Sequence, residues 1–261
     1  MINKCAVVLC GGKGSRLGAL GKKIPKTLVK VQNKEILWYI IQFLKFSGFN
    51  NIILPLGYRG EQIKKFLKKN NNFGIQIQTF NTGINSNIGS RIKKITNYIK
   101  EPNFLLLNGD AIFNFNLGKI FNYHCKNKYD VTFLSGEVTY QYGSIGMKKN
   151  KVIDFSRNLV FDKLGTKVNK NYIAYNYTGI SVINTQILKK YKSLFSKSEN
   201  FEQTFYPKVI EKFRTKLIQI NGFWHSIDNL KDLFVVDKKQ KKNSKFFKLK
   251  ELNNLLNKKN I

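Results

Sequence analysis

Through the first 110 residues, short apolar runs alternate with segments whose apolar residues recur at helical spacing, and this alternation constrains the fold more than any other feature. The run Cys5 to Leu9 is too short for a helix and breaks into glycines, so it reads as a strand entering a loop. Ile36, Leu37, Ile40, Ile41 and Leu44 share one helical face that stops near Gly48, and Ile52 to Leu56 reads as a second buried strand. Ile63, Phe66 and Leu67 predict another helix, and Ile75 and Ile77 alternate like a strand. Ile88, Ile92, Ile95 and Ile99 fall on one helical face, and Phe104 to Leu107 forms a further apolar strand. The pattern predicts an α/β fold of Rossmann-like, three-layer type, with a mostly parallel mixed central sheet covered on both faces. Ligands of such sheets collect beyond the carboxyl ends of the strands. The loop after Leu9 and the segment Asn108-Gly109-Asp110 should therefore share one crevice, although ~100 residues separate them.

Beyond Val131 to Leu134 the pattern shortens, and Ser144 to Met147, Val152 to Phe155 and Tyr175 to Ile183 predict mixed strands that cover the crevice. Ile187 to Tyr191 and Phe201 to Phe213 predict helices, and Leu217 to Ile220 a strand. Gly222 to Asp228 predicts a loop before a final helical region. Residues 1–240 are expected to form one catalytic domain, and residues 241–261 a basic helical tail whose Leu249, Leu252, Leu255 and Leu256 pack on the domain or on another subunit.

No apolar segment reaches membrane-spanning length, and Met1 to Cys10 resembles a strand rather than an export leader, which predicts a cytoplasmic protein without a membrane partner. Cys5, Cys10 and Cys125 match no metal-site spacing and are an odd number, a poor disulfide framework that fits a reducing compartment. The 46 Lys+Arg residues against 15 Asp+Glu leave a net charge of +31, which raises the local concentration of anions. Because the lysines are spread along the chain, with short runs such as Lys238-Lys239-Gln240-Lys241-Lys242, they read as solvated surface, and no specific nucleic-acid partner is expected.

In the loop Gly11-Gly12-Lys13-Gly14-Ser15-Arg16-Leu17, spaced glycines let backbone N–H groups approach an anion, and Arg16 adds a planar charged fork. Neither the dinucleotide fingerprint nor the Walker spacing is met, so by itself the loop reads equally as a phosphate cradle or a plain turn. Nine residues past Arg16, Pro25 stiffens an approach that presents Lys26, which reads as a cation for the same phosphates beside this loop and, without the loop, as one more surface lysine. Asp110 follows a buried strand, where it reads either as a carboxylate holding Mg²⁺ against a triphosphate or as the Asp of a common Gly-Asp turn. Asp228 reads either as a second such ligand or as a helix N-cap. His124 and His225 read as packed or solvent-exposed residues rather than catalysts.

The order Gly-Gly-x-Gly-x-Arg-Leu, Pro-Lys, Gly-Asp and a late Asp resembles the sugar-1-phosphate nucleotidylyltransferase family over most of the chain. Ile36 to Ile41, Leu56-Gly57-Tyr58-Arg59-Gly60, Thr82-Gly83 to Gly89-Ser90-Arg91, and Gly222-Phe223-Trp224 to Asp228 resemble segments of its glucose-1-phosphate cytidylyltransferase group. The resemblance implies a nucleotide-diphospho-sugar transferase fold, a nucleoside triphosphate and a sugar 1-phosphate as partners, Mg²⁺ as cofactor, and a homo-oligomer. It implies a nucleotide site at Leu9, Gly11, Gly12, Gly14, Ser15, Arg16, Lys26, Gly83, Gly89, Arg91 and Asp110, with Asp110 and Asp228 as metal ligands. Arg16 would stabilise the leaving pyrophosphate, and Lys26 or Lys163 would orient the attacking group.

The family's Thr-Gly-Gly-Arg segment is present with two residues changed, ending at Arg91, and the resemblance implies that Arg91, Gly89 and Ser90 lie near the base. Its Glu-Lys-Pro segment has Asp162-Lys163-Leu164 as nearest counterpart, and its Asn-Gly-Gly segment reads Tyr177-Thr178-Gly179, so Lys163, Thr178 and Gly179 are the implied sugar-phosphate contacts. CTP and glucose 1-phosphate are the expected substrates. A guanylyl-, uridylyl- or thymidylyltransferase for another sugar 1-phosphate is the alternative within the family, and a nucleotide-binding homologue without turnover the alternative outside it.

Overall fold

Seven strands make the central sheet of this computed structural model, which describes residues 3–242 apart from 32, 140–142, 149, 158–159, 162, 166–172 and 196–199. At its middle, β1 (Cys5–Leu9) pairs in parallel with β2 (Asn51–Leu56) on one side and β4 (Asn103–Asn108) on the other, and β3 (Gln76–Asn81) extends the sheet beyond β2. A three-residue strand, β5 (Ala111–Phe113), follows β4 outside this sheet. Beyond β4 lie β7 (Tyr177–Asn184), β6 (Val131–Ser135) and β8 (Thr215–Gln219). Six strands point one way, and β7 alone runs against both its neighbours, β4 and β6.

Each strand near the centre sends alternate side chains into two separate cores, as the two-residue period of a strand requires. Ala6, Val8, Ile52, Leu54, Leu105 and Leu107 face one core with α2 (Ile36–Phe46), α3 (Gly60–Lys69), α5 (Leu117–Lys126) and α8 (Leu230–Lys242). Cys5, Val7, Ile53, Phe104 and Leu106 face the other with α4 (Ile88–Ile95), α6 (Thr185–Lys190) and α7 (Phe201–Lys212). Burial on both faces explains the unbroken apolar runs of β1, β2 and β4. The short α1 (Ala19–Lys23), whose Leu20 packs against the first core, connects the glycine loop to Lys26.

The sheet departs from the sequence reading in two places. Tyr175 to Ile183 was expected over the crevice; from Tyr177 on it is instead β7, whose burial on both faces places it inside the central sheet. Gly222 to Asp228 contains β9 (Trp224–Ser226), which pairs antiparallel with β5 where a loop was expected. Helix α4 ends at Ile95, and Ile99 is buried beyond a 3₁₀ turn. The strands Gly143–Lys148 and Lys151–Arg157 form a separate antiparallel hairpin. Residues 243–261, with the expected leucine face of the tail, lie outside the described residues.

Successive segments leave β1 for β2 on one side and return to β4 on the other, so the carboxyl ends of β1 and β4 flank a switch in strand order, where open α/β sheets bind ligands. Leu9 stands beside Asn108 in the register, and the Gly109 N–H donates to the Leu9 carbonyl at 3.1 Å. Gly109-Asp110 and Cys10-Gly11 therefore leave the sheet side by side.

Candidate active site

Arg16, Lys26, Asp110 and Asp228 meet at that switch point. Lys26 Nζ donates to Asp110 Oδ2 at 2.7 Å and to Asp228 Oδ1 at 2.9 Å, and Arg16 Nη1 reaches Asp228 Oδ1 at 3.3 Å. Lys26 packs beside the loop: Pro25 and a 3₁₀ turn over Lys26–Leu28 set its backbone, and a Cβ built on Gly14 would sit 3.3 Å from Lys26 Cβ. Gly14 itself has φ +61°, the left-handed conformation that glycine adopts without steric strain.

Asp228 arrives through β9. Ser226 pairs with Ala111, and the Ile227 N–H donates to the Asp110 carbonyl at 2.8 Å, so Asp228 emerges next to Asp110. It does not cap α8. Asn229 does, its Oδ1 accepting from the Lys231 and Asp232 N–H groups while Asp232 Oδ2 accepts from the Asn229 N–H, a reciprocal capping box. The Asp228 carboxylate is thereby left to Lys26, Arg16 and Ser226 Oγ, which donates to its Oδ2 at 3.1 Å.

The electrostatics follow from these partners. Burial works against the charge of Lys26, yet Asp110 and Asp228 outweigh it and hold the ammonium above the ordinary lysine range. Burial likewise opposes ionisation of Asp228, and Lys26, Ser226 and Arg16 together keep it below the usual carboxylate range. Arg16 has its side chain 77% exposed against 15% for Lys26, so it is the cation free to reach outward.

Arg91, expected near the base, is a buried clamp as well as part of the cavity wall. Its Nη1 donates to Thr82 Oγ1 at 2.7 Å and to the Leu56 carbonyl at 3.1 Å, and its Nη2 to the Gly11 carbonyl at 2.8 Å. It ties the first loop glycine to the ends of β2 and β3. Its side chain fills the space where a Cβ on Gly11 or Gly57 would stand, 2.2 Å and 2.4 Å from guanidinium atoms. Burial lowers its pKa, but an arginine remains cationic.

Beside this cluster opens a cavity of about 550 Å³ whose lining includes Leu9, Gly11, Gly12, Lys26, Arg91 and Asp110. Gly14, Ser15, Arg16, Gly83 and Gly89 are absent from its lining, as is Asp228; Gly83, with φ +93°, donates its N–H to Asn81 Oδ1, and Gly89 faces Phe195. Thr178 is buried with its hydroxyl on the Leu134 carbonyl, and Gly179 packs against the side chain of Asn108, which lines the cavity. Lys163 belongs to a short strand, Lys163–Gly165, and its side chain lies outside those described.

The sequence reading missed Ser86, Asn87, Ile88, Asn200 and Phe201 as lining residues. Asn87 and Asn200 are the N-caps of α4 and α7, accepting from the Ser90 and Glu202 N–H groups, so two positive helix ends border the cavity. An Asn just before a helical apolar pattern was the signal that could have found them. Among the described residues there is no group of three or more His, Cys, Asp and Glu side chains fit to hold a metal ion. Asp110 and Asp228 offer a pair of hard oxygen donors, the number Mg²⁺ takes from a protein when phosphates supply further ligands.

A family model described as nucleotidyl transferase matches residues 5–243. The chain is 28% identical over 255 residues to a probable glucose-1-phosphate cytidylyltransferase of Bacillus subtilis, covering 89% of this chain and 94% of that protein. It is 32% identical over 152 residues to a D-glycero-alpha-D-manno-heptose 1-phosphate guanylyltransferase of Aneurinibacillus thermoaerophilus, covering 58% of this chain and 66% of that one. The crystal structure of HddC from Yersinia pseudotuberculosis complexed with GMP-PN shares the fold, with a TM-score of 0.67 at 22% identity over 91% of this chain and 99% of that one.

Proposed function

The chain belongs to the nucleotidyl transferase family, and on that premise we propose that it transfers a nucleotidyl group from CTP to glucose 1-phosphate, giving a nucleotide sugar and pyrophosphate. The observation that carries this reading is the meeting of Arg16, Lys26, Asp110 and Asp228 beside a cavity large enough for a nucleotide. The cytidylyltransferase resemblance spans nearly the whole chain, which is why CTP and glucose 1-phosphate stand first. A guanylyltransferase for another sugar 1-phosphate is the second reading, favoured by the 32% identical relative.

In the reaction a sugar-phosphate oxygen attacks the α-phosphorus while the bond to pyrophosphate breaks. Both reactants are polyanions, so positioning and charge neutralisation dominate. The exposed Arg16 fork takes the leaving pyrophosphate, Lys26 takes the phosphates at the cavity floor, and the loop held by Arg91 presents its N–H groups. Asp110 and Asp228 would hold magnesium, which when bound neutralises phosphate oxygens. The attacking phosphate is ionised near neutral pH and needs no general base. His124 has none to offer: it is buried against Thr132 Oγ1 at 2.8 Å and Asn103 Oδ1 at 3.1 Å.

The three cysteines are free, which supports action in the reducing cytoplasm. No helix among the described residues is long and apolar enough to cross a membrane. A matrix of nucleoside triphosphates against sugar 1-phosphates, read by pyrophosphate release, tests the reading. The highest kcat/KM is expected for CTP with glucose 1-phosphate. A maximum for GTP moves the protein to the second reading, and no release with any pair rejects both.

A further inference from the structure

We infer that Lys26 and a divalent cation compete for the same two carboxylates, so that the metal binds well only when phosphate oxygens draw the ammonium away. The inference rests on the proposed metal role of Asp110 and Asp228. Lys26 Nζ lies 2.7 Å from Asp110 Oδ2 and 2.9 Å from Asp228 Oδ1, both direct charge-assisted hydrogen bonds. An ion holding those oxygens at ~2 Å would stand against the ammonium, where like charges repel strongly in a site sheltered from water. The charge count points the same way. Within the cluster Arg16 and Lys26 already balance the carboxylates of Asp110 and Asp228, so these four side chains carry no net negative charge to attract a dication.

The lysine can yield without moving its backbone. Its stem begins packed near Gly14, while the four-carbon chain lets the head swing toward phosphates at the cavity it already lines. A triphosphate brings the oxygens that Lys26 needs as new partners and adds ligands for the ion. Nucleotide and metal then enter as one unit, and metal alone is held back.

Binding of Mn²⁺ alone to the full chain, followed by electron paramagnetic resonance without nucleotide, tests this directly. Lys26→Met is expected to bind Mn²⁺ at least about tenfold more tightly than the wild type, and adding Asp110→Asn is expected to remove the gain. Equal affinities for wild type and Lys26→Met overturn the inference, as does a gain that survives Asp110→Asn. Lys26→Gln is the substitute if Lys26→Met melts early. Measured on the wild type alone, Mn²⁺ binding as tight without nucleotide as that of ordinary two-carboxylate enzyme sites with nucleotide also overturns it. Pyrophosphate release is a separate readout: equal affinities with turnover intact reject the competition and leave the proposed function standing, whereas absent turnover rejects the function while the Mn²⁺ affinities still decide the competition.

Discussion

Gly11 and Gly12 are adjacent in one loop, yet the structure predicts opposite responses to a single added methyl group. In Gly11→Ala the new Cβ would stand 2.2 Å from Arg91 Cζ and Nη1 and 2.5 Å from Nε, contacts no protein tolerates. A guanidinium at the end of a flexible chain can usually step aside. This one is held by the Gly11 carbonyl, Thr82 Oγ1 and the Leu56 carbonyl. Moving it clear breaks at least two hydrogen bonds of ~1.5–3 kcal/mol each, of which water in the neighbouring cavity restores a part, leaving a loss of about 3 kcal/mol. For a chain of this size that is a fall in Tm of roughly 6–12 °C. In Gly12→Ala the new Cβ meets nothing within 4 Å, and stability should stay within about 0.5 kcal/mol of wild type. Urea and thermal unfolding of both variants measure the contrast. A double-mutant cycle adds the cause: in an Arg91→Ala background the cost of Gly11→Ala should shrink by at least about 1.5 kcal/mol. A Gly11→Ala loss under about 1 kcal/mol, or additivity in the cycle, refutes the clamp.

Asp110→Asn should keep the wild-type melting curve within about 1 kcal/mol and lose most pyrophosphate release, because an amide is a poor magnesium ligand; unchanged turnover removes Asp110 from the metal site. Arg16→Ala should reduce kcat/KM by about tenfold or more, while Lys13→Ala, at an exposed position of the same loop, should change it little; equal effects refute the role given to Arg16. His124 has its pKa lowered by burial from 6.5 to about 4, so the unfolded chain binds up to one proton more than the folded chain between these values. Stability should therefore be unaffected by this group above pH 6.5 and fall by about 3 kcal/mol as the pH drops toward 4. His124→Gln should flatten that slope, and an unchanged slope in unfolding titrations refutes it.

The first half of the sheet is legible because each parallel strand is buried on both faces and reads as one apolar run, with Asp110 and the glycine loop placed by strand ends alone. The position of β7 is not. A neutral run such as Tyr177 to Asn184 looks the same inside a sheet as over it, and its partners are set by tertiary packing. β5 and β9 are three residues each, too short to show a period, yet their pairing is what carries Asp228 to Asp110. The choice between cap and site for Asp228 needed the contacts of Asn229 and Asp232. Arg91 illustrates the remaining limit: the resemblance puts it among the nucleotide residues, and only the distances show its guanidinium occupied by backbone carbonyls and a hydroxyl.

The reversed strand β7 has a consequence for the order in which the chain can mature on the ribosome. Its neighbours β4 and β6 are complete by residue 135, but they are joined only when residues 177–184 slide between them. Until then the outer rim of β4, with Phe104 to Leu107 along it, offers an open row of backbone donors and acceptors that a second chain can zip onto. Nascent or broken chains that stop before residue 177 should therefore clump. Those that stop between residues 184 and 228 have covered that rim, and yet they lack Asp228, the last acid of the proposed site.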